Sequence, residues 1–356
     1  MFRRVLINAV AALFLLGLAA CSSGLPGGEG TPEASATAIP ASPTATFTPV
    51  PTQTLEAPLA LLVAPSGSDP ELSGSLQTIL TGFVDQNGLR VKVLPGLSAA
   101  DLDTNTRLVI ALPPDPGIAN LAAAAPATQF LSVGIPGLNP GGNLSVIASE
   151  GVRPDQLGFL AGYISAVITE DWRVGVISVG DTPAGKAAQQ SFVNGVVYFC
   201  GLCRPAHPPF YQYPLYAVLP AGASQADQQG AADYMIDHAV ETVYVSPGAG
   251  DNFLLDYLAK SDLHIIGSQA PPAGVEDHWV ASVHTDLLSA VQDALPKLLD
   301  GDGGLDLQMP LVISDQNETL FSPGRQNLVK ETQDNLQAGY IDTGVDPATG
   351  ETSGGG

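Results

Sequence analysis

Positive charge is scarce in this 356-residue chain, which has 13 Lys plus Arg against 35 Asp plus Glu and a formal net charge of −22. Phosphate contacts and polybasic membrane surfaces both need clustered cations, so this balance excludes a nucleic-acid binder and a polybasic membrane-surface domain. Three Cys are too few for a disulfide-rich scaffold. Only 13% of residues are charged while 45% are hydrophobic, so the chain is not a charge-swollen disordered protein and can bury the cores of about two domains.

The N-terminal apolar run is too short to cross a bilayer comfortably. It extends from Val5 to about Leu18, behind Arg3 and Arg4, which is typical of a secretory signal. The motif LAAC, ending at Cys21, resembles the bacterial lipobox, in which the Cys is lipidated and becomes the mature N-terminus. We therefore predict a lipoprotein signal peptide at 1–20 and a lipid anchor on Cys21 that holds an exported protein on the extracytoplasmic side of a cell membrane. The alternative is an ordinary cleaved signal with a chance Cys.

Two stretches lack the apolar periodicity of a packed element. Residues 21–57 are rich in Pro, Thr, Ser and Ala, which predicts a semi-rigid tether with a reach of about 100 Å at roughly 3 Å per residue. Residues 342–356 are predicted to form a flexible tail.

Short continuous apolar runs alternate with helical patterns from Leu59 onward. Such runs, separated by helices of about 10–15 residues, predict parallel sheets covered on both faces. The series occurs twice, so the predicted fold class is α/β with two doubly wound, Rossmann-like lobes. The predicted strands are 59–63, 91–94, 107–111, 130–133, 144–147, 174–178, 213–219, 242–245, 264–266, 279–283 and 311–313, and the helices are 72–83, 155–168, 183–197, 225–239, 253–260, 286–299 and 324–336.

One part of the chain resembles a known family. The segments QLGFLAGY (156–163), RVGVI (173–177) and FVNG (192–195) look like the basic membrane lipoprotein family, which comprises substrate-binding proteins of ABC importers, often for purine nucleosides. The match is specific across 155–195 and covers 59–344 only in the order of elements. It implies the type I periplasmic-binding fold, with a hinge between two lobes. Lobe 1 is predicted at 58–150, and the later segment 284–315 is predicted to pack back into it. Lobe 2 is predicted at 151–283, and the later segment 316–341 is predicted to pack back into that lobe. It also implies an ABC permease in the membrane as a partner.

Three departures bear on the ligand. The first loop, Ser66 to Glu71, has no aromatic where the family usually has one, and Ser268 and Gln269 stand where it tends to have an Asp. After the crossover strand the chain has His284-Thr285-Asp286 where the family often has a Lys. The binding-protein class is therefore expected, with a nucleoside as one candidate among small solutes.

Ligands of open α/β sheets bind outside the carboxyl ends of the strands. An acidic protein steers anions away, so a neutral or cationic solute is expected. Each candidate residue also has a simpler interpretation, in which its side chain caps a helix or forms hydrogen bonds within its own loop. The predicted ligand-binding residues are Ser66, Ser68, Asp69, Asp115, Asp181, Thr182, Asp251, Asn252, Phe253, Gln269 and Ser282.

Other motifs were weighed against simpler structural roles. Cys200 and Cys203 have the spacing of a thiol oxidoreductase or half a zinc site, but in an exported protein a local disulfide is the favoured interpretation. The pair His278 and His284, and the acidic glycine turn at 300–306, lack complete metal-ligand sets. We expect no metal, no cofactor and no enzymatic activity.

Two function classes remain. The first is the solute-binding lipoprotein of an importer, a monomer that closes around its ligand. The second is a surface-tethered sensor or interaction module with the same fold and no transporter, which the altered first loop favours.

Overall fold

The computed structural model describes residues 56–149 and 151–353, within a single compact unit at Leu55–Gly356. The predicted signal peptide, Cys21 and almost all of the predicted tether lie outside the described residues. Within them, no helix is long and apolar enough to cross a bilayer.

The first sheet has six parallel strands in the order β11-β5-β4-β3-β1-β2. Helices α1 (Pro70–Asn87) and α7 (Leu287–Leu299) pack on one face, and α2 (Ile118–Ala124) packs on the other. Both faces are therefore covered, which is why the four central strands are mostly apolar. The strands are β1 (Leu59–Val63), β2 (Arg90–Leu94), β3 (Thr106–Ala111), β4 (Gln129–Val133), β5 (Leu144–Ile147) and β11 (Asp306–Leu307).

The second sheet also has six strands, in the order β12-β10-β9-β8-β6-β7, and only β12 is antiparallel to its neighbour. One face carries α3 (Pro154–Ile168), α4 (Pro183–Cys200) and α8 (Pro323–Gln337), and the other carries α5 (Gln225–Asp237) and α6 (Asn252–Lys260). The strands are β6 (Val174–Val179), β7 (Leu215–Leu219), β8 (Thr242–Val245), β9 (His264–Gly267), β10 (Trp279–Thr285) and β12 (Leu311–Ser314). The predicted fold class, two doubly wound α/β lobes, is confirmed.

Three crossovers join the lobes. They leave β5, β10 and β11 at their carboxyl ends and lead to α3, α7 and β12. Because all three leave from the carboxyl edges of the sheets, these edges of the two lobes face each other. A cavity of about 100 Å³ among the crossovers is lined by residues of all three, including Ser149, Thr285 and Gln308.

The sheet pairing differs from the predicted lobe limits at one place. Strand β12 pairs with β10 in the second sheet, through Ser282 with Ser314 and Thr285 with Leu311. The prediction placed residues up to 315 in the first lobe. An isolated apolar strand carries no signal for which sheet it joins, because pairing is decided by tertiary contacts.

The predicted flexible tail is wrong for residues 342–353, which pack against the second lobe. Thr343 and Val345 are buried, and the Asn194 side chain donates to the Thr343 carbonyl at 2.8 Å. Thr343 Oγ1 also donates to Oδ2 of the fully buried Asp155 at 2.9 Å, and Arg153 holds that carboxylate through two nitrogens at 2.9 and 2.8 Å. The segment 342–353 is therefore held against the start of α3 by a buried hydrogen bond.

Helices α3 and α4 approach so closely that only glycine fits at their contact. A Cβ built on Gly162 would lie 2.1 Å from the Phe192 carbonyl oxygen, and one on Gly195 would lie 2.0 Å from that of Phe159. The side chains of α3 from Leu157 to Ile168 are all buried. The motif LGFLAG on α3 thus serves backbone packing.

Candidate functional site

The predicted site residues of the first lobe are occupied by local hydrogen bonds. Asp69 accepts from the amides of Glu71 and Leu72 at the start of α1, and Asp115 accepts from Gly117 and Ile118 at the start of α2. Asp69 is therefore the N-cap of α1, whereas Asp115 closes the turn just before α2, whose N-cap is Gly117.

The two predicted serines of the same lobe lie in the loop after β1. Ser68 Oγ donates to the Pro113 carbonyl at 2.6 Å, so it ties that loop to the loop after β3. Ser66 is exposed in the same loop. The four predicted residues lie at the carboxyl ends of β1 and β3, as expected from the topology, but three of them have structural partners.

In the second lobe, the polar side chains after β6 and β8 are likewise engaged. Asp181 accepts from the Ala221 amide at 3.1 Å, which joins the loops after β6 and β7. Thr182 caps α4 by accepting from Gly185 at 3.1 Å, and Asp251 caps α6 by accepting from the amide of Phe253 at 2.9 Å.

The Phe253 ring, which the sequence predicted to stack on a ligand, lies along its own helix. Phe253 stacks on Tyr257 one turn later, with ring centroids 6.2 Å apart, and the Tyr257 hydroxyl donates to Asp233 of α5 at 2.7 Å. Asn252, beside it, is exposed. The aromatic wall of the second lobe is instead supplied by a residue that the sequence interpretation did not select.

That residue is Trp279, which lines a cavity of about 60 Å³ at the carboxyl ends of β8 and β9. Ser246, Ser268 and Gln269 line the same cavity, together with three glycines at 248, 250 and 267. Gly267 is required here, because a Cβ at this position would lie 2.2 Å from the Trp279 ring. The glycines therefore leave room for the indole and for the cavity.

Ser246 has the most informative side chain of this cavity. It is 2% exposed, and its hydroxyl has no hydrogen-bond partner among the described residues. A buried hydroxyl without a partner costs about 1–3 kcal/mol, so native structures retain few of them, and each calls for an explanation. A polar group entering the cavity would supply the missing partner.

A hydrogen-bonded cluster stands beside the cavity and organises its wall. Ser282 Oγ is fully buried, accepts from Trp279 Nε1 at 3.1 Å, and lies 2.8 Å from the Gln269 carbonyl oxygen and 2.7 Å from Asp315 Oδ2. The hydroxyl has one proton, so it donates to one of these two oxygens at a time. Predicted residues Gln269 and Ser282 thus meet in one cluster, with Ser282 orienting the indole.

Asp315 is the carboxylate of this cluster and was not selected from the sequence. Its backbone has φ +49°, in the left-handed region that Asp adopts more readily than most residues. Its Oδ2 also accepts from Ser314 Oγ at 2.9 Å, and Ser314 lies 3.1 Å from His284 Nε2. The cluster therefore extends from the cavity to the crossover after β10. Asp315 follows an antiparallel strand, so the rule that finds site residues after parallel strands does not reach it.

The remaining motifs have structural roles. Cys200 and Cys203 form a disulfide that closes the turn after α4. No group of three or more His, Cys, Asp or Glu residues in 56–149 and 151–353 is placed to hold a metal ion.

Comparisons with known proteins give the fold. No protein-family model matches the chain, and no curated protein matches it. An ABC transporter solute-binding protein from Conexibacter woesei is similar over 80% of this chain and 98% of its own, at 17% identity and a TM-score of 0.52. A solute-binding protein from Aeropyrum pernix (14% identity, 81% and 92% covered, TM-score 0.47) and a transcriptional activator of the comK gene from Bacillus halodurans (14%, 83% and 100%, 0.49) are also similar.

The likeness to the Conexibacter protein shows a shared two-lobed fold of the type I periplasmic-binding kind. A shared fold does not by itself select a function. The basic membrane lipoprotein family is not identified by these comparisons, so that resemblance stays a prediction.

Proposed function

We propose that this protein is the extracytoplasmic solute-binding component of an ABC importer, tethered to a membrane through Cys21. It binds a small neutral or cationic solute between the facing carboxyl edges of its lobes and closes by bending at the three crossovers. The observation that carries this proposal is the small cavity beside Trp279, in which the buried Ser246 hydroxyl has no partner.

The chemistry of the cavity favours a ligand with both an apolar face and hydrogen-bonding groups. Trp279 offers a large flat surface, while Ser246, Ser268 and Gln269 offer hydroxyl and amide groups. The Asp315 carboxylate and the Gln269 carbonyl oxygen both lie within hydrogen-bonding distance of the Ser282 hydroxyl. A nucleoside satisfies this description, in keeping with the family resemblance, and so do other small polar solutes with a flat face.

The experiment is a thermal-shift screen of the mature chain against nucleosides, nucleobases, sugars and amino acids. A ligand at 100 times its Kd adds about 2.7 kcal/mol to the free energy of unfolding, which raises the Tm by at least about 2 °C in a chain of this size. Gln269→Ala should remove the shift, whereas Gln77→Ala, on the exposed face of α1, should leave it intact. A shift that survives Gln269→Ala would place the ligand elsewhere.

A sensor or interaction module without a transporter is the second candidate. It is favoured by the first loop, in which Ser68 and Asp69 are engaged in structural hydrogen bonds. No thermal shift with any class of solute would favour this candidate over the importer.

A further inference from the structure

The two sheets have four open edges, formed by β2, β11, β7 and β12. The outward N–H and C=O groups of an edge strand can pair with another chain, so proteins protect such edges with charged side chains, with very short strands or by covering the backbone. Strand β2 carries Arg90 and Lys92, and β11 has only two residues. On β12, side chains of α8 occupy the Leu311 backbone, because Gln337 Oε1 accepts from its amide at 3.2 Å and Gln333 donates to its carbonyl oxygen. These three edges are therefore protected.

Strand β7 lacks these protections. Its sequence, LYAVL, contains no charged residue, and it pairs with β6 over all five residues without a bulge. The Leu219 carbonyl oxygen accepts from the amide of Gly180, the residue after β6, so the backbone groups of Leu219 and of every second residue before it point towards β6. The N–H and C=O groups of Tyr216 and Val218 therefore point away from the sheet, and no hydrogen bond among the described residues involves them.

The space around this edge is open. One groove, of about 460 Å³, lies between β7 and α5, and another, of about 420 Å³, lies between the carboxyl end of β7 and the start of α4. Tyr216 and Val218 are 55% and 54% exposed, and their side chains share one face of the strand. Leu215 and Ala217 pack into the core on the other face. The edge is therefore accessible to a further strand.

We propose that two copies of this chain pair through β7, antiparallel about a two-fold axis at Ala217, and so join their second sheets into one continuous sheet. In this register Tyr216 of each copy lies opposite Val218 of the other, and each such pair exchanges two N–H···O=C bonds. Ala217 lies opposite its own copy, where its small side chain allows the close approach of a non-hydrogen-bonded pair. The proposal depends neither on the solute nor on the lipid anchor, and it replaces the monomer expected from the sequence with a dimer.

The strand is complementary to itself in one register. Pro214 and Pro220 flank it and have no N–H group to donate. A two-fold axis at Tyr216 or at Val218 would set one of these prolines opposite an outward-facing residue, so the axis at Ala217 is the one that pairs all four outward groups. In that register the exposed aromatic and β-branched side chains also meet in two pairs, which is a favourable kind of cross-strand contact. These features point to a second copy, because an unrelated strand would have to supply the same pattern.

The two-fold axis also keeps like charges apart in a chain whose net charge is −22. Asp181 and Asp227 line the two grooves and lie at the carboxyl end of β7. An antiparallel pairing places that end beside the amino end of the other β7, so neither residue meets its own copy. At the amino edge, Asp171 and Glu241 have Arg173 as a partner, at 2.9 and 3.8 Å. Charge therefore permits this contact, and the strand pattern specifies it.

The proposed contact lies away from the crossovers between the lobes. In the order of the second sheet β7 is one edge, while β12 and β10, which are joined to the first lobe by crossovers, lie at the other end. The pairing therefore leaves the crossovers of both copies free to bend.

The first test measures the mass of the mature chain by analytical ultracentrifugation over a series of concentrations. Cys21→Ser prevents acylation, so that a lipid cannot cause the association. We expect the mass to rise with concentration from one chain to two. Val218→Lys puts a charge on the edge, as Lys92 does on β2, and should abolish the rise. Val218→Pro, which removes an outward-facing N–H, should do the same.

The matched control is Val93→Lys, at a 40% exposed position of the edge strand β2. This variant should dimerise as the chain without it does. Circular dichroism checks that every variant folds.

Cross-linking tests the register. Opposite residues of a non-hydrogen-bonded pair have Cα atoms about 4.5 Å apart, which suits a disulfide, so Ala217→Cys should give a covalent dimer on mild oxidation. Tyr216→Cys is at a more exposed position but lies opposite Val218, so it should give much less. Cys200 and Cys203 are bonded to each other and take no part.

Three results would overturn the proposal: a chain that stays monomeric at every concentration, an association that survives Val218→Lys, or equal cross-linking at positions 216 and 217. A monomer would leave a strand of another protein as the candidate partner of this edge.

Discussion

The contact between α3 and α4 permits a stability prediction with a matched control. Gly162→Ala would place a methyl carbon 2.1 Å from the carbonyl oxygen of Phe192, where real contacts are at least 3.0 Å. The oxygen is part of a helix backbone, so the helices must separate by about 0.9 Å, the difference of these two distances. Overpacking of a core costs about 1–3 kcal/mol, and here the loosened contact extends along both helices, so we expect a loss of about 2–4 kcal/mol.

The control is Gly82→Ala in α1, where nothing lies within 4 Å of the added carbon. Alanine is favoured over glycine inside a helix by about 0.5–1 kcal/mol, so this variant should gain stability by that amount. Urea denaturation of the mature chain measures both free energies of unfolding. If Gly162→Ala were as stable as Gly82→Ala, the close approach of α3 and α4 would be refuted.

Three further predictions concern buried polar groups. Ser246→Ala should leave the free energy of unfolding unchanged or raise it by about 1 kcal/mol, since no hydrogen bond is lost, while weakening solute binding in titration calorimetry. Asp155→Ala should lower stability by about 3 kcal/mol because Arg153 and Thr343 lose their buried partner, and calorimetric unfolding without that loss would contradict the described fastening of the tail. The hydrogen bond from the Ala206 amide, aided by Arg173, holds the pKa of Asp171 below its usual range; this stabilisation is present above about pH 4 and is lost as the pH falls through the lowered pKa. The protection factor of the amide of residue 206, which is its exchange rate relative to that of an unprotected amide at the same pH, should fall in that acid range, and Asp171→Asn should abolish this fall.

The strands and helices of this fold could be read from the sequence because burial on both faces leaves continuous apolar runs. Strand β1, LALLV, and helix α3 carry that signal plainly. Helix α2, with seven residues in the sequence IANLAAA, and strand β11, with two residues, were missed. Neither is long enough to establish a period, and both are fixed by the elements they contact.

The site was harder to predict than the fold. Asp69, Asp115 and Asp251 were selected because they follow strands, but an Asp after a strand in this fold also precedes a helix. Its carboxylate then accepts from backbone amides at the start of that helix or in the turn just before it. Ser246 follows β8 and obeys the same positional rule, yet only the structure reveals that its hydroxyl is buried without a partner. Trp279 is the first residue of a strand, whereas the rule selects residues that follow a strand.

The interleaving of the two sheets constrains the order in which the chain can mature. Strand β11 and helix α7 complete the first sheet, but both come after almost all of the second lobe in the sequence. Helix α7 covers one face of the first sheet with Val291, Leu295 and Leu298. Helix α1 covers part of the same face, but during vectorial synthesis or export from the N-terminus the part beneath α7 stays uncovered until about residue 299 has emerged. A nascent first lobe therefore carries a partly open apolar face for most of its synthesis, and any fragment that ends before α7 should tend to aggregate through that face.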